Sequence, residues 1–331
     1  MSNVTFARSL AALIAVVALA ALPYAIKEVY YVNIASQILL YAIFALGLNI
    51  LVGYAGLVSL GHAGLFGIAA YVVAYLLVAG HGHVLAIVAA LAAGLVATAG
   101  FAALSLRSTG IIFIMITLAL GEIIWGLAYR WISLTNGDNG ITVPARPTPF
   151  GIALGSARAF YVTTLIVFLI SIIAAGIFVR SPFGAALRGT RDQPRRMNAL
   201  GYHVWMIRFW AFMFSGLLSA IAGILFVYYN QFISPQALAL TASAESLLMV
   251  ISGGAGTLLG PVVGAALVVI VKNVVSAYVE RWNFMLGAIF VAIVVFMPEG
   301  LVPGVARLTR SIWRGRARTK ASLPMTAGPR Q

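Results

Sequence analysis

The chain has 331 residues, 62% of them hydrophobic and 8% charged, with a mean hydropathy of +1.04 and a net charge of +14. A soluble domain carries about 25% charged residues, so there is too little charge here to coat a water-facing surface; a soluble globular fold, a fibre and a disordered chain are excluded. Cysteine is absent, and His62, His81, His83 and His203 do not make a ligand cluster, so no disulfide, metal site or other cofactor is expected.

A helix needs about 20 apolar residues to cross roughly 30 Å of hydrocarbon. Ten segments qualify as candidates: 9–26, 32–52, 61–79, 84–105, 109–129, 159–179, 207–229, 239–253, 261–279 and 282–298. Two of them, 61–79 and 239–253, are short or broken by glycine, which gives eight to ten spans. The expected fold is all-α and polytopic, one transmembrane domain over 1–305 followed by a basic tail, 306–331. Residues 10–22 have the length of a signal-peptide core, with Ala18-Leu19-Ala20 as a cleavage-like site. Pro23 and the Tyr-rich stretch after it run straight into the next span, which favours an uncleaved first helix. Tyr30, Tyr31, Trp131, Tyr161 and Trp282 fall near span ends, as in an aromatic belt.

The cations are gathered in tracts rather than spread over a face, so nucleic acid is not an expected partner. The connector 180–208 carries Arg180, Arg188, Arg191, Arg195, Arg196 and Arg208. The tail carries Arg307, Arg310, Arg314, Arg316, Arg318, Lys320 and Arg330, and its Pro324, Gly328 and Pro329 suggest disorder. Loops rich in Lys and Arg stay in the cytoplasm. Four candidate spans separate the two tracts, an even number, so both lie on one side. Counting backward places 130–158 outside, Arg107 inside and the N-terminus inside.

Four features stand out along the chain. The first is Gly53-Tyr54-Ala55-Gly56-Leu57-Val58-Ser59-Leu60-Gly61-His62-Ala63-Gly64, four glycines between two apolar runs. Each glycine weakens a helix by about 1 kcal/mol relative to alanine, and irregular backbone at membrane depth survives only inside protein or along a wet cavity. Either this is a broken helix with Ser59 and His62 lining a passage, or it is a turn followed by a closely packed helix. The second is Glu122, at mid-helix in 109–129, where helical spacing sets Met115, Ala119, Trp125, Gly126 and Tyr129 on its side. A charge there costs about 2.5–3.5 kcal/mol on insertion scales, so Glu122 should face the bundle interior, either handling substrate or protons or holding a structural partner. Lys272 and Asn273 raise the same question, although Lys272 can snorkel.

The third is the connector itself. Pro194 can open a short helix, Arg195 to Leu200, with Gly201 just past its end. Either this is a handle for a cytoplasmic partner or a solvated loop that obeys the positive-inside rule; the capping signals that bracket it favour the handle, with Arg188, Arg191, Asp192, Ala199, Leu200 and Gly201 as the coupling candidates. The fourth is Ser252-Gly253-Gly254-Ala255-Gly256, then Gly260-Pro261 and Gly264. Gly256, Gly260 and Gly264 would share one helix face and admit a neighbouring backbone; a passage-lining break competes with close packing. Both glycine tracts should reach the same side of the membrane. The passage candidates are therefore Gly53, Gly56, Ser59, Gly61, His62, Glu122, Ser252, Gly253, Gly254 and Gly256.

Catalytic and nucleotide-binding motifs are missing. No Gly-x-x-x-x-Gly-Lys-Ser/Thr loop is present, and no nucleophile elbow, His-Glu-x-x-His helix or carboxylate pair. This lowers the expectation of an enzyme and leaves ATP hydrolysis to another chain.

Taken together, Gly53-Tyr54-Ala55-Gly56-x-x-Ser59-Leu60-Gly61-His62-Ala63, Thr117-Leu118 with Glu122 and Thr135-Asn136-Gly137-Asp138-Asn139-Gly140, Ser181-Pro182-Phe183-Gly184 with Arg188 and Arg191-Asp192, and Phe232-Ile233-Ser234-Pro235 with Gly253-Gly254-x-Gly256-Thr257 and Gly260-Pro261 resemble the permeases of branched-chain amino acid ABC importers. The set covers residues 35–305. The resemblance implies an inner-membrane subunit, one of two permeases, with two cytoplasmic ATPases docked on 180–208 and an external binding protein that delivers substrate. Relatives also carry urea, short amides or sugars. The chain departs from the pattern in having Arg195-Arg196-Met197-Asn198 ahead of Ala199-Leu200-Gly201, Leu57 where Gln is common, and Asn136-Gly137 where a glycine pair is common. A different class of reading, a secondary transporter with Glu122 as proton carrier, would show gradient-driven uptake without any ATPase.

Overall fold

The structure is a computed structural model and describes residues 17–24, 28–143, 155–275, 282–297, 299–304 and 307. Residues 17–24 are helical. Helix α1 covers Val29–Asn49 and continues into the π-helical turn Ile50–Ala55. It is followed by α2 (His62–Val78), α3 (His83–Ser105), α4 (Ile111–Arg130) and the two-residue strand β1 (Ile141–Thr142). Next come α5 (Ala157–Arg180), α6 (Pro182–Asp192), α7 (Pro194–Ala199), α8 (Val204–Asn230) and strand β2 (Phe232–Ile233). The last described helices are α9 (Leu240–Gly253), α10 (Gly260–Val275) and α11 (Trp282–Phe296).

The fold is helical and polytopic, as expected. Among the described residues five helices are long and apolar enough to cross a membrane: Val29–Ala55, α3, α4, α5 and α8. Helices α2, α9 and α10 are apolar but shorter. At 1.5 Å per residue the 16 residues of α10 rise about 24 Å, less than the hydrocarbon thickness. The backbone leaves the helix at the two glycine tracts, between α1 and α2 and between α9 and α10.

Burial separates a core from a shell. The apolar window of Val29–Ala55 is 83% buried and that of α8 67%, against 28%, 22% and 33% for α3, α4 and α5. The shell helices therefore turn apolar faces outward, as on α5, where Ile166, Ile170, Ile173 and Ile177 form an exposed stripe suited to lipid. Tight packing around α8 follows from its small residues. Gly223 lies against the backbone of Phe66 in α2, Gly216 against Thr98 in α3, and Gly94 of α3 against Ala220. A side chain at any of these glycines would part the helices. At one end β1 pairs antiparallel with β2, Ile141 opposite Ile233 and Thr142 opposite Phe232, which ties the connection after α4 to that after α8. The opposite end carries α6 and α7 with Arg188 and Arg191 and is called the arginine end below.

Several expectations are corrected. The connector holds two helices, not one: α6 is an amphipathic element whose N-terminus is capped by Ser181, its side chain accepting from the Gly184 amide at 3.2 Å, with Pro182 in the first turn. Gly256 does not share a helix face with Gly260 and Gly264, because α9 ends at Gly253 and α10 starts only at Gly260. Tyr161 is fully buried rather than part of an interfacial belt, and its hydroxyl donates to the carbonyl of Leu19. Tyr30, Tyr31 and Trp131 are exposed near helix ends, while the Trp282 side chain lies outside the description. The tail beyond Arg307 and most of the first candidate span also lie outside the described residues.

Candidate functional site

The chain leaves α1 through the π-helical turn and reaches Gly56, whose φ of 69° ends the winding. From there it runs non-helically to Gly61 before α2 starts at His62. Leu57, Ser59 and Gly61 are buried in this segment, Val58 and Leu60 are half-buried, and Gly56 is exposed. A side chain at Gly61 would overlap the carbonyl of Thr117, and the Cβ of an alanine at Gly121 would stand 3.0 Å from Gly61 Cα. The backbone donors freed by the break find side chains on other helices. The Leu60 amide donates to Thr117 Oγ1 at 3.3 Å and the Ala63 amide to Ser243 Oγ at 3.1 Å. Backbone outside a helix at this depth needs such partners.

His62 is wholly enclosed. Its Nδ1 lies 3.0 Å from Ser59 Oγ and its Nε2 2.8 Å from Ser215 Oγ. Ser215 spends its one proton on the carbonyl of Gly47 at 2.5 Å, so its oxygen must accept from His62. That assigns the ring proton to Nε2 and leaves Nδ1 to accept from Ser59. Ser59, His62, Ser215 and Gly47 thus form one satisfied chain that fixes α1, the break, α2 and α8 together.

The second tract meets the first. Gly53 and Gly256 are in backbone contact, and a Cβ on Gly53 would overlap the Gly256 amide nitrogen and Asn49 Oδ1. Asn49, buried in the last turn of α1, joins the two tracts. Its Oδ1 accepts from the Gly256 amide at 2.9 Å and its Nδ2 donates to the Thr257 carbonyl at 2.9 Å. Gly253 packs on the carbonyl of Gly260, and Gly264 on that of Met249, so α9 and α10 approach backbone to backbone. Gly254 lies under Pro303 and Gly300, from the segment after α11. The hydroxyl of Ser252 is buried without a hydrogen-bond partner.

The arginine connector reaches this junction directly. Arg191 Nη1 donates to the carbonyl of Gly53 at 2.7 Å, its stem covers Gly56, and its Nε donates to Asp192 at 2.9 Å. Arg188 donates to the carbonyl of Val179 at the end of α5, and Arg208 of α8 donates to that of Thr190 in α6. Helix α6 is therefore held to α5, α8 and the break of α1 at once. Helix α7 has no buried residue; Ala199 and Leu200 are exposed, and Gly201, at φ 86°, has nothing near the place of a side chain.

Glu122 stands apart from both. The inner face of α4 is Phe113, Thr117, Gly121 and Ala128, and one residue further round the helix puts Glu122 at the edge of that face. It is half-buried, makes no hydrogen bond or ion pair with a described residue, and shares its side with exposed Met115 and Tyr129. Among the described residues it has no interior partner.

Toward the end with β1 and β2 a cavity of about 350 Å³ opens among α1, α2, α8, α9 and α10. Phe44, Phe66, Phe226 and Met249 wall one part of it, and Glu245 and Lys272 another. Lys272 Nζ lies 3.1 Å from Glu245 Oε2 and 3.3 Å from Oε1. Among the described residues no group of three or more His, Asp or Glu side chains is placed to hold a metal ion.

Asn49, Ser215, Ser243 and Glu245 escaped the sequence reading. Two of them carried a usable signal: Asn49 is a carboxamide four residues before the first glycine of the tract, and Glu245 is a charge inside the candidate span 239–253, as Glu122 is inside 109–129.

The chain is 30% identical to the high-affinity branched-chain amino acid transport system permease protein LivM of Salmonella typhimurium over 301 residues, 82% of this chain and 70% of that protein. It is 31% identical to LivM of Escherichia coli K12 over the same shares. The autoinducer 2 import system permease protein LsrC of Yersinia enterocolitica is 30% identical over 40% of this chain and 39% of its own. No solved structure matches. The profile of the branched-chain amino acid transport system / permease component family matches residues 30–294, and the chain, with its apolar helices broken at two touching glycine tracts, is a multi-pass membrane protein that belongs to this family.

Proposed function

We propose that the chain is a permease subunit of an ATP-driven importer that carries branched-chain or other apolar amino acids across the inner membrane. In this reading the arginine end is cytoplasmic, a second permease subunit completes the passage, two ATPase subunits dock on α6 and α7, and an external binding protein delivers substrate. The observation that carries it is the bond from Arg191 to the carbonyl of Gly53. A helix exposed to a cytoplasmic partner is thereby joined to the backbone of the broken helix, so a push on α6 reaches the junction of the two tracts without an intermediary. The tracts act as the gate: two short, glycine-lined contacts separate more readily than interlocked side chains. Moving a two-state gate from 1:99 to 99:1 takes about 5.5 kcal/mol of differential binding, which nucleotide in the partners supplies. First selection falls to the external protein, and this chain supplies passage without covalent chemistry of its own.

The test is reconstitution of the chain with its neighbouring permease, ATPases and binding protein in proteoliposomes. Leucine uptake that requires ATP and all components supports the reading. Uptake driven by a proton gradient without the ATPases would replace it with a secondary transporter. The similarity to LsrC favours one runner-up within the family, a small polar solute; ATP-driven uptake of a sugar or urea in place of leucine would select it.

A further inference from the structure

We infer that the cavity walled by Phe44, Phe66, Phe226, Met249, Glu245 and Lys272 is an intramembrane binding site for the zwitterion of an apolar amino acid, a reading that rests on the proposed transport function. An α-amino acid brings an ammonium and a carboxylate into the bundle together, and neither is tolerated there without a counter-charge and hydrogen bonds. Among the described residues Lys272–Glu245 is the only ion pair within the spanning helices; the other two, Arg191–Asp192 and Arg307–Glu299, lie at the arginine end. It faces the cavity, with both side chains partly accessible. The substrate ammonium takes the Glu245 carboxylate and the substrate carboxylate takes the Lys272 ammonium, and a zwitterion brings no net charge into the bundle.

The remainder of the wall fits the rest of such a molecule. The rings of Phe44 and Phe66 stand 5.0 Å apart and those of Phe66 and Phe226 5.3 Å apart, a continuous aromatic surface for an aliphatic side chain. Tyr41, Ser234, Gln236, Thr241 and Ser246 add polar groups to the lining, of which Ser246 and Gln236 are already bonded to Ser243 and Asp138. The volume suits a small ligand. The location suits a transit site. Met249 stands one turn before Gly253, about 6 Å along α9, so the floor of the cavity borders the glycine junction held by Asn49 and Arg191. Solute resting here is next to the gate and needs only that junction to part.

The test uses the transporter assembled with its partner subunits in lipid nanodiscs. Photo-leucine, which carries a diazirine on its side chain, should label peptides bearing Phe44, Phe66 or Met249. Excess L-leucine should suppress the label, whereas 4-methylpentanoate and 3-methylbutylamine, each with one of the two charges, should not. Glu245→Gln should raise the leucine concentration that gives half-protection at least tenfold. The paired exchange Glu245→Lys with Lys272→Glu keeps the ion pair but reverses it against the aromatic wall. ATP-driven leucine uptake by the exchanged protein should fall at least tenfold; unchanged uptake would make the pair a structural bridge and overturn the site. Wild-type protein that imports leucine but takes no label in the cavity also overturns it and leaves the transport reading intact. Wild-type protein that imports no apolar amino acid removes the transport reading, and this inference with it.

Discussion

Asn49 is the residue on which the closed junction depends. Its carboxamide satisfies one donor and one acceptor of the second tract, and reversing the amide would set like against like at both contacts. Asn49→Ala leaves the Gly256 amide and the Thr257 carbonyl without partners, each worth about 1–3 kcal/mol when buried. The gate equilibrium should shift toward open by about tenfold or more, since 1.4 kcal/mol is a factor of ten. The chain has no cysteine, so a single Ser252→Cys reports on this. Its modification by a membrane-impermeant maleimide should be slow with Asn49 present and at least tenfold faster in Asn49→Ala. Glu122 should behave in the opposite way. With no partner among the described residues and a place at the edge of the inner face of α4, Glu122→Gln should leave ATP-driven uptake within about twofold of wild type; complete loss in a normally inserted protein would give the carboxylate a role in transport. What was legible at this scale was glycine. Four glycines inside an apolar run have no membrane rationale except a break or a close approach, so both tracts stood out. The partners did not: Ser215 lies 153 positions from His62 and Thr257 208 positions from Asn49, and no local periodicity links such pairs.

At the scale of elements, α6 is the part through which the proposed coupling would run. It hid in the sequence because Gly184 and Gly189 lower helix propensity and the arginines read as a solvated loop. The structure shows why it is helical. Ser181 caps it, Gly184 fits against the carbonyls of Phe178 and Val179, Gly189 against Met197 of α7, and its one apolar residue at the centre, Leu187, is fully buried. Three arginine-to-carbonyl bonds then fix it to α5, α8 and the end of α1. Tied at three points, α6 cannot shift without carrying the backbone at Gly53. Arg191→Met keeps the aliphatic stem over Gly56 and removes only the guanidinium. The transporter should still assemble and hydrolyse ATP at close to the wild-type rate, while leucine uptake falls at least tenfold. Equal loss of both activities would place Arg191 in the ATPase contact, and unchanged uptake would remove it from coupling.

For the whole molecule, one relation orders the rest: which end of the bundle faces the cytoplasm. The core of Val29–Ala55, α2, α8, α9 and α10 is asymmetric along its length. The charge-paired cavity lies toward β1 and β2, and the glycine junction with α6 and α7 lies at the arginine end. Import requires solute to meet the cavity before the junction. In the proposed topology the arginine end lies inside, as the positive charge of the connector and tail, an even number of candidate spans apart, leads one to expect. The proposed direction of import and the charge bias of insertion are both consistent with one orientation, which remains a proposal to be tested. Asp192 closes α6 and is exposed, so Asp192→Cys in the cysteine-free chain is a marker for that end. A membrane-impermeant maleimide should leave it unmodified in intact cells and modify it fully in inside-out vesicles. Modification from the outside would turn the bundle over, put the cavity behind the gate for an importer, and force the direction of transport to be reversed along with the topology.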